Sequence, residues 1–254
     1  MTKTICIANI KGGVGKTTIV HNLSHALSIK GKKILMIDLD MQGNLSDRSS
    51  NGQQRNSVYQ LLTDNDINTE QCIHQSGIPN VDIIPSQINI GEIGRVLEQR
   101  GTSKRLYILK ERLGEIGKKY DYIIMDTHPV LDYLFVSAMI ASDYYIIPAV
   151  PSIDSVKGIN LTRRFVIDIK KTNPNIKELG ILINNIDNRT NTSKKIVASL
   201  EQNIGDTLFK TRIPHNTHIN QAALNYVTTF QLKKNSICNT SFLELSDEII
   251  KRMI

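Results

Sequence analysis

Residues 8–18 read Ala-Asn-Ile-Lys-Gly-Gly-Val-Gly-Lys-Thr-Thr. A glycine-rich turn between a strand and a helix aims several backbone N–H groups, plus the positive end of the helix dipole, at one spot. That is a cradle for phosphate. In such a cradle Lys16 reaches the β- and γ-phosphates and Thr17 ligates Mg²⁺. The common spacing has a glycine six residues before the lysine. Here Ile10 stands in that place, and an extra lysine, Lys11, opens the turn.

The elements that must hold this turn are legible on either side of it. Ile5-Cys-Ile is a short, apolar, β-leaning run, and Ile19, Leu23, Ala26 and Leu27 recur at helical spacing up to Gly31, a helix stop. Further strands are expected at Thr4–Asn9, Lys33–Asp38, Val81–Pro85, Tyr122–Asp126, Tyr144–Ala149 and Leu179–Asn184, the later ones dense in Ile, Val, Leu or Tyr. Helical periodicity marks Lys104–Lys118, Leu134–Ala141, Ser155–Lys171 and Ser193–Gln202, the last with Ser193 as its cap. The polar stretch Ser46–Ser57 reads as a surface loop. Strands alternating with helices predict an α/β fold, a mostly parallel twisted sheet with helices on both faces, as one domain over residues 1–254.

Two acids end buried strands. Asp38-Leu-Asp40-Met-Gln-Gly-Asn44 follows the second, so both carboxylates lie on the ligand edge of the sheet and share a strand face. Asp126 ends the apolar strand Tyr122–Asp126, where a carboxylate holds Mg²⁺ through water. His21 and His25 have metal-ligand spacing on the first helix, but no third ligand is near in sequence and both fall off the apolar stripe, which reads as surface.

The Lys-Gly-Gly-Val-Gly-Lys-Thr turn resembles the deviant P-loop of the ParA/MinD/nitrogenase-iron-protein superfamily. The resemblance covers nearly the whole chain and implies a P-loop ATPase using ATP and Mg²⁺. Its nucleotide site would comprise Lys11, Gly12, Gly13, Val14, Gly15, Lys16, Thr17 and Thr18, with Lys11 crossing to the nucleotide of a second copy in a homodimer. Asp38-x-Asp40-x-Gln-Gly-Asn resembles the superfamily's first switch, in which Asp40 positions the attacking water and Asp38 orients the Mg²⁺ shell. The metal set is then Thr17, Asp38 and Asp126, and the catalytic set Lys11, Lys16 and Asp40. Met41 stands where relatives usually carry proline, and His128 where they carry the first proline after Asp126. Gly180–Asn191 resembles the adenine-side strand of the ParA branch, with Asn184 and later Pro214 near the base. His215 replaces an arginine there.

At 254 residues, 40% hydrophobic and 22% charged, the chain is long enough to bury a large core. No apolar run spans a bilayer, Met1-Thr-Lys leads straight into the first strand, and the scattered Cys6, Cys72 and Cys238 suggest neither disulfides nor zinc. A cytoplasmic protein is expected, without a separate N-terminal DNA-binding domain. The net charge of +7 is concentrated in Arg189, Lys194, Lys195, Lys210, Arg212, Lys233 and Lys234, against Glu201 and Asp206. With the resemblance, that implies a ParA-type segregation ATPase on the nucleoid, binding double-stranded DNA nonspecifically and stimulated by a ParB-like centromere-binding partner. A MinD-like membrane-positioning ATPase shares the nucleotide motifs, but Glu244, Asp247 and Glu248 suit a terminal helix packed on the domain better than one on lipid, and no membrane partner is expected. A nitrogenase-type reductase needs clustered cysteines that are missing, and a non-hydrolysing scaffold sits poorly with both Asp38 and Asp40.

Overall fold

The computed structural model describes residues 2–49, 56–99, 105–116, 118–152, 154–187 and 189–254. In chain order its elements are β1 (Lys3–Ile7), α1 (Lys16–Ile29), β2 (Ile34–Leu39), α2 (Asn44–Ser49), α3 (Val58–Thr63), β3 (His74–Ile78) and β4 (Val81–Ile84). Then follow α4 (Ile93–Gln99), α5 (Ile108–Ile116), β5 (Tyr122–Thr127), α6 (Tyr133–Ala141), β6 (Tyr144–Ala149) and α7 (Ser155–Ile169). The last are β7 (Lys177–Ile186), α8 (Asn191–Ile204), β8 (Leu208–Pro214), α9 (Thr217–Leu224), α10 (Thr229–Leu232) and α11 (Ile237–Arg252).

The strands make one sheet in the order β3-β4-β2-β5-β1-β6-β7-β8. Every pair is parallel except the edge pair β3–β4. Alternation along each strand feeds two cores. On β1, Cys6 joins a core built with α3 to α8, while Ile5 and Ile7 join one built with α1, α2 and α11. Both faces are therefore covered, which is why the central strands carry apolar residues toward both sides, with acids at the ends of β2 and β5. The α/β fold with helices on both faces matches the sequence expectation.

Several boundaries differ from it. β3 and β8 were not anticipated: each is an edge strand with polar positions, His74 and Gln75 in one, Lys210, Thr211 and Arg212 in the other, so neither has the continuous apolar run. α8 starts two residues earlier than expected, and its cap is Thr190, whose hydroxyl accepts from the Ser193 N–H; Ser193 itself is inside the helix. The helix expected over Lys104–Lys118 runs Ile108–Ile116 behind a 3₁₀ turn at Arg105–Tyr107, and Lys104 lies outside the described residues. The loop expected at Ser46–Ser57 begins instead as α2; residues 50–55 lie outside the described residues, and Ser57 caps α3.

His21 is a further correction. It is 1% exposed, and His25 bonds the Thr228 hydroxyl at 2.6 Å and packs on the Phe230 ring. Both face away from the Ile19–Leu23–Leu27 stripe, yet α10 and its cap Thr228 meet His25 there, and Arg48 of α2 lies near His21. α11 turns Phe242, Leu245 and Ile249 into the core against α1 and β8. Burying each such side chain stabilises by roughly 1.5–3 kcal/mol.

Candidate functional site

The turn from β1 to α1 follows the C-terminal end of the sheet's central strand. Gly13 and Gly15 take left-handed backbone angles, φ 72° and 89°, which a side chain disfavours. Gly15 is also crowded: the Asn184 side chain donates to the Val14 carbonyl at 2.8 Å and fills the space a Cβ would need. The loop is thus seated directly on the end of β7. On its other side, Pro129 lies in ordinary contact range of Gly12.

Lys16 is buried, and its Nζ donates to the Asn9 carbonyl at 3.2 Å. Burial pushes its ammonium pKa down, while Asp126 and Asp40 pull the other way. Lys11 is placed differently. Its Nζ donates to the Ser152 hydroxyl at 2.9 Å, and its N–H to the Asn9 side chain. A Cβ added at Gly158 of α7 would lie 3.4 Å from both the Lys11 Cβ and the Asn9 side-chain oxygen, so α7 packs close behind this pair.

The β2–β5 register sets Asp38 beside Asp126, both fully buried. Their fates differ. Asp38 accepts from the Asp40 N–H at 3.0 Å and from the Ser46 N–H and hydroxyl at 2.8 and 2.7 Å, tying β2 to α2. Among the described residues neither oxygen of Asp126 has a partner at hydrogen-bond geometry, although the Thr17 hydroxyl is near enough to favour its ionised form. Burial first, and then Asp38, push the Asp126 pKa up. Burial does the same to Asp38, with the Ser46 and Asp40 bonds opposing. A buried carboxylate with free oxygens beside a threonine hydroxyl is an oxygen donor set for a hard divalent cation such as Mg²⁺. Asp40 stands past the strand end, half-buried, accepting from the Gln42 N–H at 2.9 Å.

Two clefts meet at the loop. One, of about 310 Å³, is lined by the loop with Lys16, Thr17, Asp40, Asn44, Arg48 and Thr127. The other, of about 220 Å³, lies between the loop, Asn184 and Asn185, and the segment Pro214–Asn216. Gly13, Gly15 and Thr18 line both. The structure therefore brings Gly12 to Thr18, Asp40, Asn184 and Pro214 around one elongated space, with Asp126 and Asp38 behind it. Lys11 is not among the described residues lining either cleft. His215 bonds Asn185 at 2.7 Å on the second cleft's wall. His128, read from sequence as a turn substitution, is buried and bonds the α6-capping Asp132 at 3.1 Å. Arg48 and Asn220 were not anticipated. Arg48 becomes visible once α2 is known to start at Asn44, because one helical turn puts both on the same side.

The seven basic residues do not converge on one surface. Lys194 and Lys195 ride on α8, which covers one face of the sheet; Lys233 and Lys234 follow α10 on the other. Arg189 pairs with Asp187 and Arg212 with Glu201.

A parallel α/β sheet with a phosphate cradle after its central strand, and a free carboxylate on the next strand, defines a P-loop nucleotide-binding domain. Comparison with known proteins narrows that class. The family model described as an AAA domain (AAA_31) matches residues 2–179. The sporulation initiation inhibitor protein Soj of Bacillus subtilis is 34% identical over 227 residues, covering 87% of this chain and 88% of its own length. The chromosome partitioning protein ParA of Caulobacter vibrioides is 29% identical, covering 98% and 94%. The solved septum site-determining protein MinD of Pyrococcus horikoshii, complexed with Mg-ADP, superposes with a TM-score of 0.80 at 25% identity, covering 99% and 97%. The chain belongs to the ParA/MinD family of P-loop ATPases.

Proposed function

We propose that this protein is a ParA-type DNA-segregation ATPase, which dimerises around ATP, holds nonspecific DNA in that state and is released by hydrolysis that a ParB-like partner accelerates. The nucleotide would lie along the two joined clefts, its base toward Asn184 and Pro214 and its phosphates on the amides of Gly12 to Thr18. Lys16 meets the β/γ-phosphate oxygens, and Asp40, at the open side of that cleft, aligns the attacking water. Thr17 and Asp126 would hold Mg²⁺, with Asp38 fixing the switch segment beside it. The ion, when bound, offsets phosphate charge. Phosphoryl transfer asks little more of a protein than such positioning and charge neutralisation.

The observation that carries the dimeric reading is the position of Lys11. Lys11, at the head of the phosphate loop, bonds Ser152 and lines neither cleft among the described residues, which supports a role at a phosphate other than its own. Hydrolysis then waits for assembly, which suits a switch. The MinD-like membrane alternative is disfavoured because Phe242, Leu245 and Ile249 of α11 are spent in the core.

The test is binding to nonspecific duplex DNA with ATP, ADP or no nucleotide, at low and physiological salt. ATP-selective binding that Asp40→Ala retains and Lys16→Ala loses is the expected result. Failure of every nucleotide state to bind DNA would overturn the segregation reading while leaving the ATPase site standing.

A further inference from the structure

Two cations line the phosphate cleft among the described residues, Lys16 and Arg48. Lys16 belongs to the loop itself. Arg48 comes from α2 in the switch segment, and it forms no ion pair with another described residue. Its Nη1 donates instead to the Thr18 hydroxyl at a long 3.4 Å. Asp126, Asp38 and Asp47 attract the guanidinium from beyond ion-pair distance. With one long bond to a hydroxyl among the described residues, an arginine facing a loop of backbone amides keeps donors of its fork for a phosphate. That fork matches phosphate oxygens in geometry as well as charge.

Where it would act follows from Thr18. That residue lines both clefts, so it stands where the base side of the space passes into the phosphate side. A nucleotide laid along the joined clefts puts its α-phosphate at this junction and its γ-phosphate farther on, near Lys16 and Asp40. We propose that Arg48 is a phosphate clamp supplied by the same chain, which leaves the Thr18 hydroxyl for the α- and β-phosphate oxygens when nucleotide binds. Because it is carried by α2, whose Ser46 bonds Asp38, the clamp ties nucleotide occupancy to the segment that presents Asp40. The inference rests on the reading of the clefts as the ATP site and adds a residue to it.

The experiment is calorimetric titration of ATP and ADP, each with Mg²⁺, into wild type, Arg48→Ala, Arg48→Gln and Arg48→Lys. Arg48→Ala and Arg48→Gln should weaken ATP and ADP by a similar factor, about 10-fold or more, the size expected of a charge-assisted contact. Arg48→Lys should recover part of that loss. Glutamine keeps a donor for Thr18 but no charge, so wild-type affinity in Arg48→Gln would show a merely structural contact and overturn the clamp. Loss confined to ATP would overturn the placement at the α- and β-phosphates. A wild type that bound neither nucleotide would overturn the ATP-site reading itself, and the clamp with it.

Discussion

At Gly15 the backbone turns with φ 89°, and an added Cβ would come within 2.2 Å of the Asn184 amide nitrogen. Gly15→Ala should therefore lose stability twice over, about 1–2 kcal/mol from the left-handed backbone alone and more from displacing Asn184. Asn184→Ala removes the second component, so the double variant should be more stable than the sum of the single losses. Urea melts of the four proteins read that coupling, expected at about 0.5–3 kcal/mol for residues in contact; strict additivity would show that Asn184 is not what crowds the loop. At this scale the sequence was most informative where chemistry is local. Lys16 and Thr17 are fixed by their place in the loop, and Asp126 by the end of an apolar strand. Arg48 was hidden, since its relation to Thr18 exists only once α2 sits on α1. The openness of Asp126 against the saturation of Asp38 was equally hidden, because it depends on which carboxylate Ser46 reaches.

Helix α1 shows what neighbouring elements do to a residue's meaning. His21 and His25 lie off its apolar stripe and read as solvated, but His21 is buried and α10 with its cap Thr228 closes over His25. Burial lowers the His21 pKa to about 3, helped by nearby Arg48, and the His25 pKa to about 4. Folded imidazoles that resist protonation leave the unfolded chain to bind the proton first. Their share of stability is thus intact above the ordinary histidine range and is lost as pH falls below it. Between pH 6.5 and pH 5 the fully buried His21 should cost about 2 kcal/mol, with less from the more exposed His25. Denaturant melts at pH 7 and pH 5 should show the drop, and His21→Gln should flatten it; an equal drop in that variant would place the cause elsewhere. The same principle explains which elements were legible. Central strands buried on both faces announce themselves as apolar runs, whereas β3 and β8, each open along one edge, mix polar residues in. α2 is only six residues long, too short for any periodicity to show.

For the molecule as a whole, the question is what one chain can complete by itself. Its sheet places a phosphate cradle, Asp40 and Asp126 around one space, yet Lys11 bonds Ser152 and lines neither cleft among the described residues. The basic residues are divided between α8 and the α10–α11 side, with β8 at the edge between them. If Lys11 serves the partner's nucleotide, Lys11→Ala should bind ATP as the wild type does but hydrolyse it poorly. Lys16→Ala should fail because its own site is broken, while still carrying an intact Lys11. Mixing the two inactive variants then creates dimers in which the Lys16→Ala chain lends Lys11 to the intact cradle of the other. Random pairing makes half the dimers mixed, each with one complete site, so ATP turnover should return to about a quarter of the wild-type rate. Recovery that depends on total protein concentration would mark it as intermolecular. A Lys11→Ala protein that hydrolysed ATP at the full rate alone would instead mean that each chain completes its own site, and the cationic surfaces would then have to act without any help from assembly.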